Sequence, residues 1–327
     1  MKNRSRVFPL SIVNVGIALF LIATSPSTPS SYANDSAAEF AAGGIQFKEE
    51  KAISIEKEEL FISRKKIEVN YLFRNHSKKD ITTVIAFPVP EYQCGLSGRQ
   101  PFFDDFVVEV NGRKIQYDKE IRAFVGGKEY TKLLEEMNVS IGDFGSGPME
   151  KPDFFSKLSE KDKATLIKLG IAGNYPVEGW PRWTVSKKYH WSQKFPANRT
   201  IHIRHTYTPY YGFKPVQFDM NHEEALLVLK EACVNKETLE WIRTNGVISG
   251  FFHPEWVSYI LLTANNWRKP IGSFHLTVEN SQNGRSSFCL DHKMTRSSPT
   301  RQEVFVKDYI PKKNLTVFFF KKVEKTQ

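Results

Sequence analysis

Three cysteines, eight histidines and one tight group of aromatic residues are the side chains from which chemistry could be built in this chain. Cys94 lies in a glycine-rich stretch (EYQCGLSGRQP), Cys233 between two helical patterns, and Cys289 in the strand-like SSFCL. No C-x-x-C pair occurs, so dithiol redox chemistry is not indicated. Cys233 and Cys289 both fall in the C-terminal part of the chain and can meet without bridging regions. A Cys233–Cys289 disulfide with Cys94 free is therefore expected, three reduced cysteines being the alternative. His202 and His205 differ in strand parity, point to opposite faces and cannot share an ion without a bulge. His190, His222, His253, His275 and His292 lack ligand-like spacing, so no metal is expected. The glycines of GDFGSGPME lack the strand, helix and GK[ST] ending of a phosphate loop. No G-x-S-x-G occurs, and the acid pairs Asp104-Asp105 and Glu223-Glu224 read as surface groups. Hence no catalytic residue and no cofactor is assigned. What remains is Trp180, Arg182, Trp183, Tyr210 and Tyr211. Rings beside proline and a guanidinium can stack on a sugar or grip a peptide; equally, they can fill the seam between two β regions.

The elements that must position these rings read mostly as strands. In Ile67–Pro90, Ile67, Val69, Tyr71 and Phe73 alternate with Glu68, Asn70 and Arg74, and Leu72 breaks the pattern. After the polar NHSKKD, the residues Ile81, Thr83, Ile85 and Phe87 share a face until Pro88 and Pro90 end the run. This spacing predicts a β-hairpin with Phe73 and Phe87 buried. Trp183, Val185, Tyr189, Trp191 and Phe195 share a second apolar face, interrupted by Lys187 and Gln193. Past Pro196-Ala197-Asn198, Ile201, Ile203 and Tyr207 return, which predicts a second hairpin with an aromatic inner side. Asn111-Gly112 predicts a two-residue turn between Phe102–Val110 and Arg113–Tyr117.

Ile45–Phe47, Ala52–Ile55 and Leu60–Ile62 are further short strand candidates, after an alanine-rich start broken by Gly43-Gly44. Helices are expected at Lys128–Met137, after Ser159 as a cap, and twice between Asn221 and Asn245, with Asn235 capping the second. Strands resume at Trp256–Thr263, Phe274–Glu279, Ser287–Leu290, Glu303–Val306 and Leu315–Val323. The fold class is mainly β. Residues 34–118 form an N-terminal antiparallel sandwich, 119–180 a short helical insertion, and 181–327 a second antiparallel β region with two helices.

The run FRN-x-S-x-K-D-I-T-T-x-x-A-F-P-x-P resembles the bacterial family called domain of unknown function 4424. So do NDSAAEFAAGG, ELFIS, YHWSQKFPA…IHIRHTYTPYYG and ANNWRKPIGSF, over nearly the whole chain after residue 33. The resemblance implies an exported, β-rich protein and brings no assigned activity. Over Ile67–Tyr117 the chain is also similar to the VIT domain, the N-terminal sandwich of the inter-alpha-trypsin inhibitor heavy chains.

The first 33 of the 327 residues read as an export signal. Lys2, Arg4 and Arg6 form its basic end and Val7–Ala23 its apolar middle, and Ser31-Tyr32-Ala33 supplies the small residues a signal peptidase reads. Pro9, Asn14 and Gly16 interrupt the apolar run, which argues against an uncleaved anchor. Cleavage before Asn34 and a periplasmic or secreted location are expected, with no transmembrane segment afterwards. The formal charge is +10, and loss of Lys2, Arg4 and Arg6 leaves +7. Basic clusters at Arg64-Lys65-Lys66, Lys78-Lys79, Lys187-Lys188, Lys312-Lys313 and Lys321-Lys322 are spread along the chain. They read as solvated faces, or as attraction to an anionic envelope surface. An envelope protein, a glycan or an anionic membrane surface is the expected partner, and nucleic acid is not. The leading function is a non-enzymatic binding or structural module of the cell envelope. The alternative is an envelope hydrolase acting on a glycan or peptide through the aromatic region.

Overall fold

A computed structural model describes residues 35–41, 44–94, 105–142, 153–175 and 177–323. The expected signal, residues 1–33, lies outside them, as do most of the two glycine loops, at 95–104 and 143–152. The chain is mainly β. Its alanine-rich start forms β1 (Ser36–Ala41), which pairs with β2 (Gly44–Phe47). One strand, β3 (Ile53–Ser63), replaces the two short ones expected. A bulge between Ile55 and Lys57 moves its buried side chains from Ile53 and Ile55 to Leu60 and Ile62. That parity change makes one strand read as two.

Next come β4 (Ile67–Asn75), β5 (Ile81–Gln93), β6 (Val107–Val110) and β7 (Arg113–Lys114). Asn111 and Gly112 join the last two with φ of 50° and 78°, as a two-residue turn between twisted strands requires. In β8 (Asp118–Val125) and β9 (Lys128–Glu129), a second such turn at Gly126-Gly127 takes residues expected to begin a helix. The helix α1 therefore starts later, at Thr131–Glu136. α2 (Asp153–Lys157) and α3 (Glu160–Lys168) follow, α3 capped by Ser159 Oγ accepting from the Asp162 amide at 3.2 Å.

The short pair β10 (Ala172–Gly173) and β11 (Trp180–Pro181) leads into β12 (Thr184–Phe195) and β13 (Thr200–Tyr207). Beyond β14 (Gly212–Phe213) and β15 (Val216–Gln217) stand α4 (Glu223–Glu231) and α5 (Lys236–Trp241). Asn235 caps α5 by accepting from the Thr238 amide at 2.8 Å. The rest is β16 (Val247–Ile248), β17 (Phe251–Phe252), β18 (Glu255–Tyr259), β19 (Ile271–Glu279), β20 (Gly284–Phe288), β21 (Met294–Ser298), β22 (Arg301–Tyr309) and β23 (Leu315–Lys321).

An eight-stranded sheet runs β21-β22-β19-β3-β4-β13-β6-β7, and a six-stranded sheet runs β2-β1-β5-β12-β8-β9. A third, of four strands, is ordered β14-β18-β23-β20. β19 pairs with β3 in parallel, and β3 pairs with β4 antiparallel. Strands from before residue 119 thus pair with strands from after residue 180 in both large sheets, β3 with β19, β4 with β13 and β5 with β12, and the described residues form one compact unit.

Neither expected hairpin forms. β4 lies in the eight-stranded sheet and β5 in the six-stranded one, and β12 and β13 are divided the same way. Each couple is an arch between sheets. β4 pairs with β13 (Phe73 opposite Ile201) and β5 with β12 (Phe87 opposite Tyr189). The two arch turns interlock: the Asn75 amide donates to Arg199 O at 3.0 Å and the Asn198 amide to Ser77 O at 3.1 Å. Phe73 and Phe87 are both fully buried, because the inward faces of an arch meet across the core. That core draws on all three sheets, from Ala37 to Phe319. The polar interruptions of β12 are accommodated within it. The Lys187 ammonium sits 5.2 Å from the Tyr189 ring centroid, and Gln193 Oε1 accepts from Trp191 Nε1 at 3.3 Å. A second core lies under α1–α3 and a third under α4 and α5.

Candidate functional site

The five aromatic and basic residues singled out by the sequence divide into two places. Trp183 is fully buried in the second core, its Nε1 donating to Ile141 O at 3.1 Å, with Phe154 edge-on at 5.7 Å. Trp180, in β11, is 7% exposed. Arg182 between them is exposed, and its side chain lies across Gly173, where any Cβ would meet the guanidinium. Tyr210 and Tyr211 lie elsewhere, at the exit of β13. Tyr211 lies under the Arg64 guanidinium at 4.8 Å, and Tyr210 stands 6.4 Å from Tyr92. Cys233 and Cys289 form a disulfide with Cα atoms 5.2 Å apart, and Cys94 is buried and outside that bond. His205 is buried and His202 exposed, as their parity requires. Among the described residues no three His, Cys, Asp or Glu side chains are grouped to hold a metal ion.

A large concavity with converging polar groups is built on the outer face of the four-stranded sheet. Alternation sends Val257, Tyr259, Leu315, Val317 and Phe319 into the main core. It leaves Trp256, Ser258, Thr316 and Phe318 on the other side. The register sets Trp256 opposite Phe318 and Ser258 opposite Thr316. The two hydroxyls lie 3.3 Å apart, within hydrogen-bond distance, and either can be the donor. Helix α4 forms the wall. Its Ala225, Val228 and Leu229 are buried in the third core with Phe318 and Phe320. The helix carries more apolar residues than one face can bury, so Leu226 and Leu227 stay 44% and 53% exposed. The disulfide fastens the chain just beyond α4 to the chain just beyond β20. The result is a groove of about 800 Å³ between Leu227, Val228, Lys230 and Glu231 on one side and the sheet on the other.

Three ammonium groups and one carboxylate line this groove: Lys214, Lys230, Lys313 and Glu231. Lys214 is neutralised by Glu224 at 2.6 Å. Asn314 beside Lys313 is held in place, since its Oδ1 accepts from the amides of Leu261 at 3.2 Å and Leu262 at 3.3 Å. Past Trp256 and Ser258 the groove adjoins a smaller cleft of about 90 Å³ lined by Glu91, Tyr207, Pro209, Tyr210 and Gly212. Gly212 is needed there because the Trp256 indole crosses where a Cβ would stand. Burial raises the Glu91 carboxyl above its ordinary value, against the opposing pull of a Ser186 hydrogen bond and the Lys188 charge. Of the five ring and guanidinium candidates Tyr210 reaches this site, and the disulfide's Cys289 lines the groove. Trp256, Phe318 and Lys230 were missed, and Lys313 was singled out only as part of a basic cluster. The surplus of leucines in EEALLVLKE is the one local signal that could have pointed to them.

A mainly β chain with interleaved sheets and a stapled surface groove is thus defined. The protein belongs to the family described as "domain of unknown function (DUF4424)", whose model matches residues 33–318. No curated protein matches the sequence. Among solved structures, a Legionella pneumophila protein described as a "putative nutrient binding protein" is similar at 13% identity and a TM-score of 0.41, over 89% of this chain and 72% of that one. The M1 zinc metallopeptidase of Deinococcus radiodurans is similar at 7% identity and a TM-score of 0.30. That match covers 83% of this chain and 43% of the peptidase. Yeast LTA4 hydrolase is similar at 8% identity and 0.33, over 82% and 28% respectively. No helix among the described residues is long and apolar enough to cross a membrane.

Proposed function

We propose that the protein is a non-enzymatic binding module exported to the cell envelope, which holds its ligand in the groove between α4 and the four-stranded sheet. The observation that carries this reading is the groove itself. Its volume of about 800 Å³ falls in the range of small-molecule sites, and it joins an apolar floor to a few placed polar groups. The Cys233–Cys289 bond supports export, because structural disulfides persist in oxidising compartments. Tyr210 extends the site into the adjoining cleft, where a ligand end could stack on its ring.

Native mass spectrometry of protein made with its own leader and recovered from the envelope fraction tests the reading. The expected species begins at Asn34 and carries a bound molecule. That molecule is lost in Thr316→Trp, which fills the groove floor, at an unchanged unfolding midpoint. A full-length species in the membrane fraction overturns export. A bound molecule retained by a folded Thr316→Trp overturns the groove. Chemical conversion of the bound molecule on incubation supports the hydrolase alternative instead.

A further inference from the structure

We infer that the groove takes an amphipathic carboxylate: one apolar chain ending in an anionic head. The inference rests on the groove being the binding site and adds the class of ligand. Three observations lead to it.

The floor offers little backbone pairing. β23 lies between β18 and β20, and β14 covers β18 at Glu255 and Trp256, so only the three residues that end β18 lie beyond that pairing, too few for a peptide to add as a strand. The floor also asks for few hydrogen bonds, since Ser258 and Thr316 lie within reach of each other. What it presents to a ligand is apolar: the Trp256 ring, Leu227 and Val228, with Phe318 beneath. Last, the charge at the rim is unbalanced. Lys214 is matched by Glu224; neither Lys230 nor Lys313 has an ion-pair partner among the described residues, and both line the groove with Glu231 as its one carboxylate, which leaves one positive charge in excess. Lys230 has a local role, standing in the last turn of α4 where a cation complements the helix dipole. Lys313 stands in the connection after β22 and has no such role, so it is the cation left for a ligand. A ligand that buries an apolar body and brings one negative charge completes this site; a neutral or cationic one does not.

Calorimetric titration of the mature protein with decanoate, 1-decanol and decyltrimethylammonium, each below its aggregation limit, tests the inference. Decanoate should bind with one-to-one stoichiometry and about tenfold more tightly than decyltrimethylammonium, with the difference shrinking as salt is added. Lys313→Gln should weaken decanoate about three- to fivefold, the scale of one exposed charge pair, and leave decanol unchanged. Leu227→Glu, at an exposed helical position, should weaken decanoate and strengthen the cation. Three probes of equal affinity, all abolished by Thr316→Trp, overturn the charge inference and leave the groove standing. Probes that fail to bind, or that bind a folded Thr316→Trp as well as the parent, overturn both.

Discussion

Asp35 and His205 have no exposed surface, and His205 Nε2 lies 3.1 Å from Asp35 Oδ2. The imidazole is enclosed by Phe87 at 5.0 Å, Phe106 and Trp191 at 5.4 Å, and Tyr71 at 5.8 Å. Trp267 Nε1 donates to the Asp35 carbonyl at 2.7 Å, so the second residue after the expected cleavage point is fixed in the centre of the fold. Removing either partner strands the other in an apolar interior. Asp35→Ala and His205→Ala should each cost about 3–5 kcal/mol. The double variant should cost clearly less than their sum, as urea denaturation would show; additive losses would mean the two groups do not interact. On the surface of the same sheet, Glu68 behaves differently. Hydrogen bonding from Arg204 is the largest influence holding its carboxyl at about 2, below the ordinary 4.5, with Lys66 and Asn70 assisting against a partial desolvation cost. A depressed carboxyl stabilises the fold above the unfolded-state value, and that stability is lost as the folded-state group protonates. The stability gap between the parent and Arg204→Gln should therefore be present at neutral pH and close as pH falls from about 4.5 towards 2. A gap independent of pH across that window would show that Arg204 acts by packing alone.

The arches explain what the sequence could and could not reveal about the elements. Alternation in IEVNYLF, broken at Leu72, and in ITTVIAF indicated which side chains go inside, and Phe73 and Phe87 are buried accordingly. The partner of each strand is a separate matter. Backbone pairing is set by geometry that a two-residue period does not encode, and a polar turn such as NHSKKD can either fold back in one sheet or cross to another. Asn75 marks the difference. It is fully buried, its Nδ2 donates to Lys79 O and Phe195 O at 2.9 Å each, and its Oδ1 accepts from the Ser77 amide at 2.8 Å. One amide thus ties its own turn and links the two arches. Asn75→Ala leaves buried carbonyls unpaired and should cost about 3 kcal/mol. Lys78→Ala, in the same turn but exposed, should change stability by about 0.5 kcal/mol or less. Thermal denaturation compares them, and equal midpoints would show that Asn75 is not the tie between the arches.

At the scale of the whole molecule, the groove was illegible for a reason related to the arches. Its floor and wall come from β18, β23 and α4, and its rim from Lys214 and Lys313, so no contiguous stretch carries it. The cysteines were legible because their two segments lie in one region and few pairings were possible. The disulfide closes a loop with a sequence separation of 56. That loop holds α5 and β16–β20, and β19 is the strand that pairs in parallel with β3 from the opposite end of the chain. Cross-linking such a loop removes conformations from the unfolded chain, worth about 4 kcal/mol in the chain-entropy account. Because β19 sits in the middle of the eight-stranded sheet, between β22 and β3, its loosening should propagate to the main core instead of remaining with the helices. Cys233→Ser with Cys289→Ser should therefore lower the midpoint of one shared transition, seen alike by far-UV dichroism and by tryptophan emission. Two separate transitions, the helical region melting first and the sheets keeping the parent midpoint, would show that the bond secures the groove wall alone.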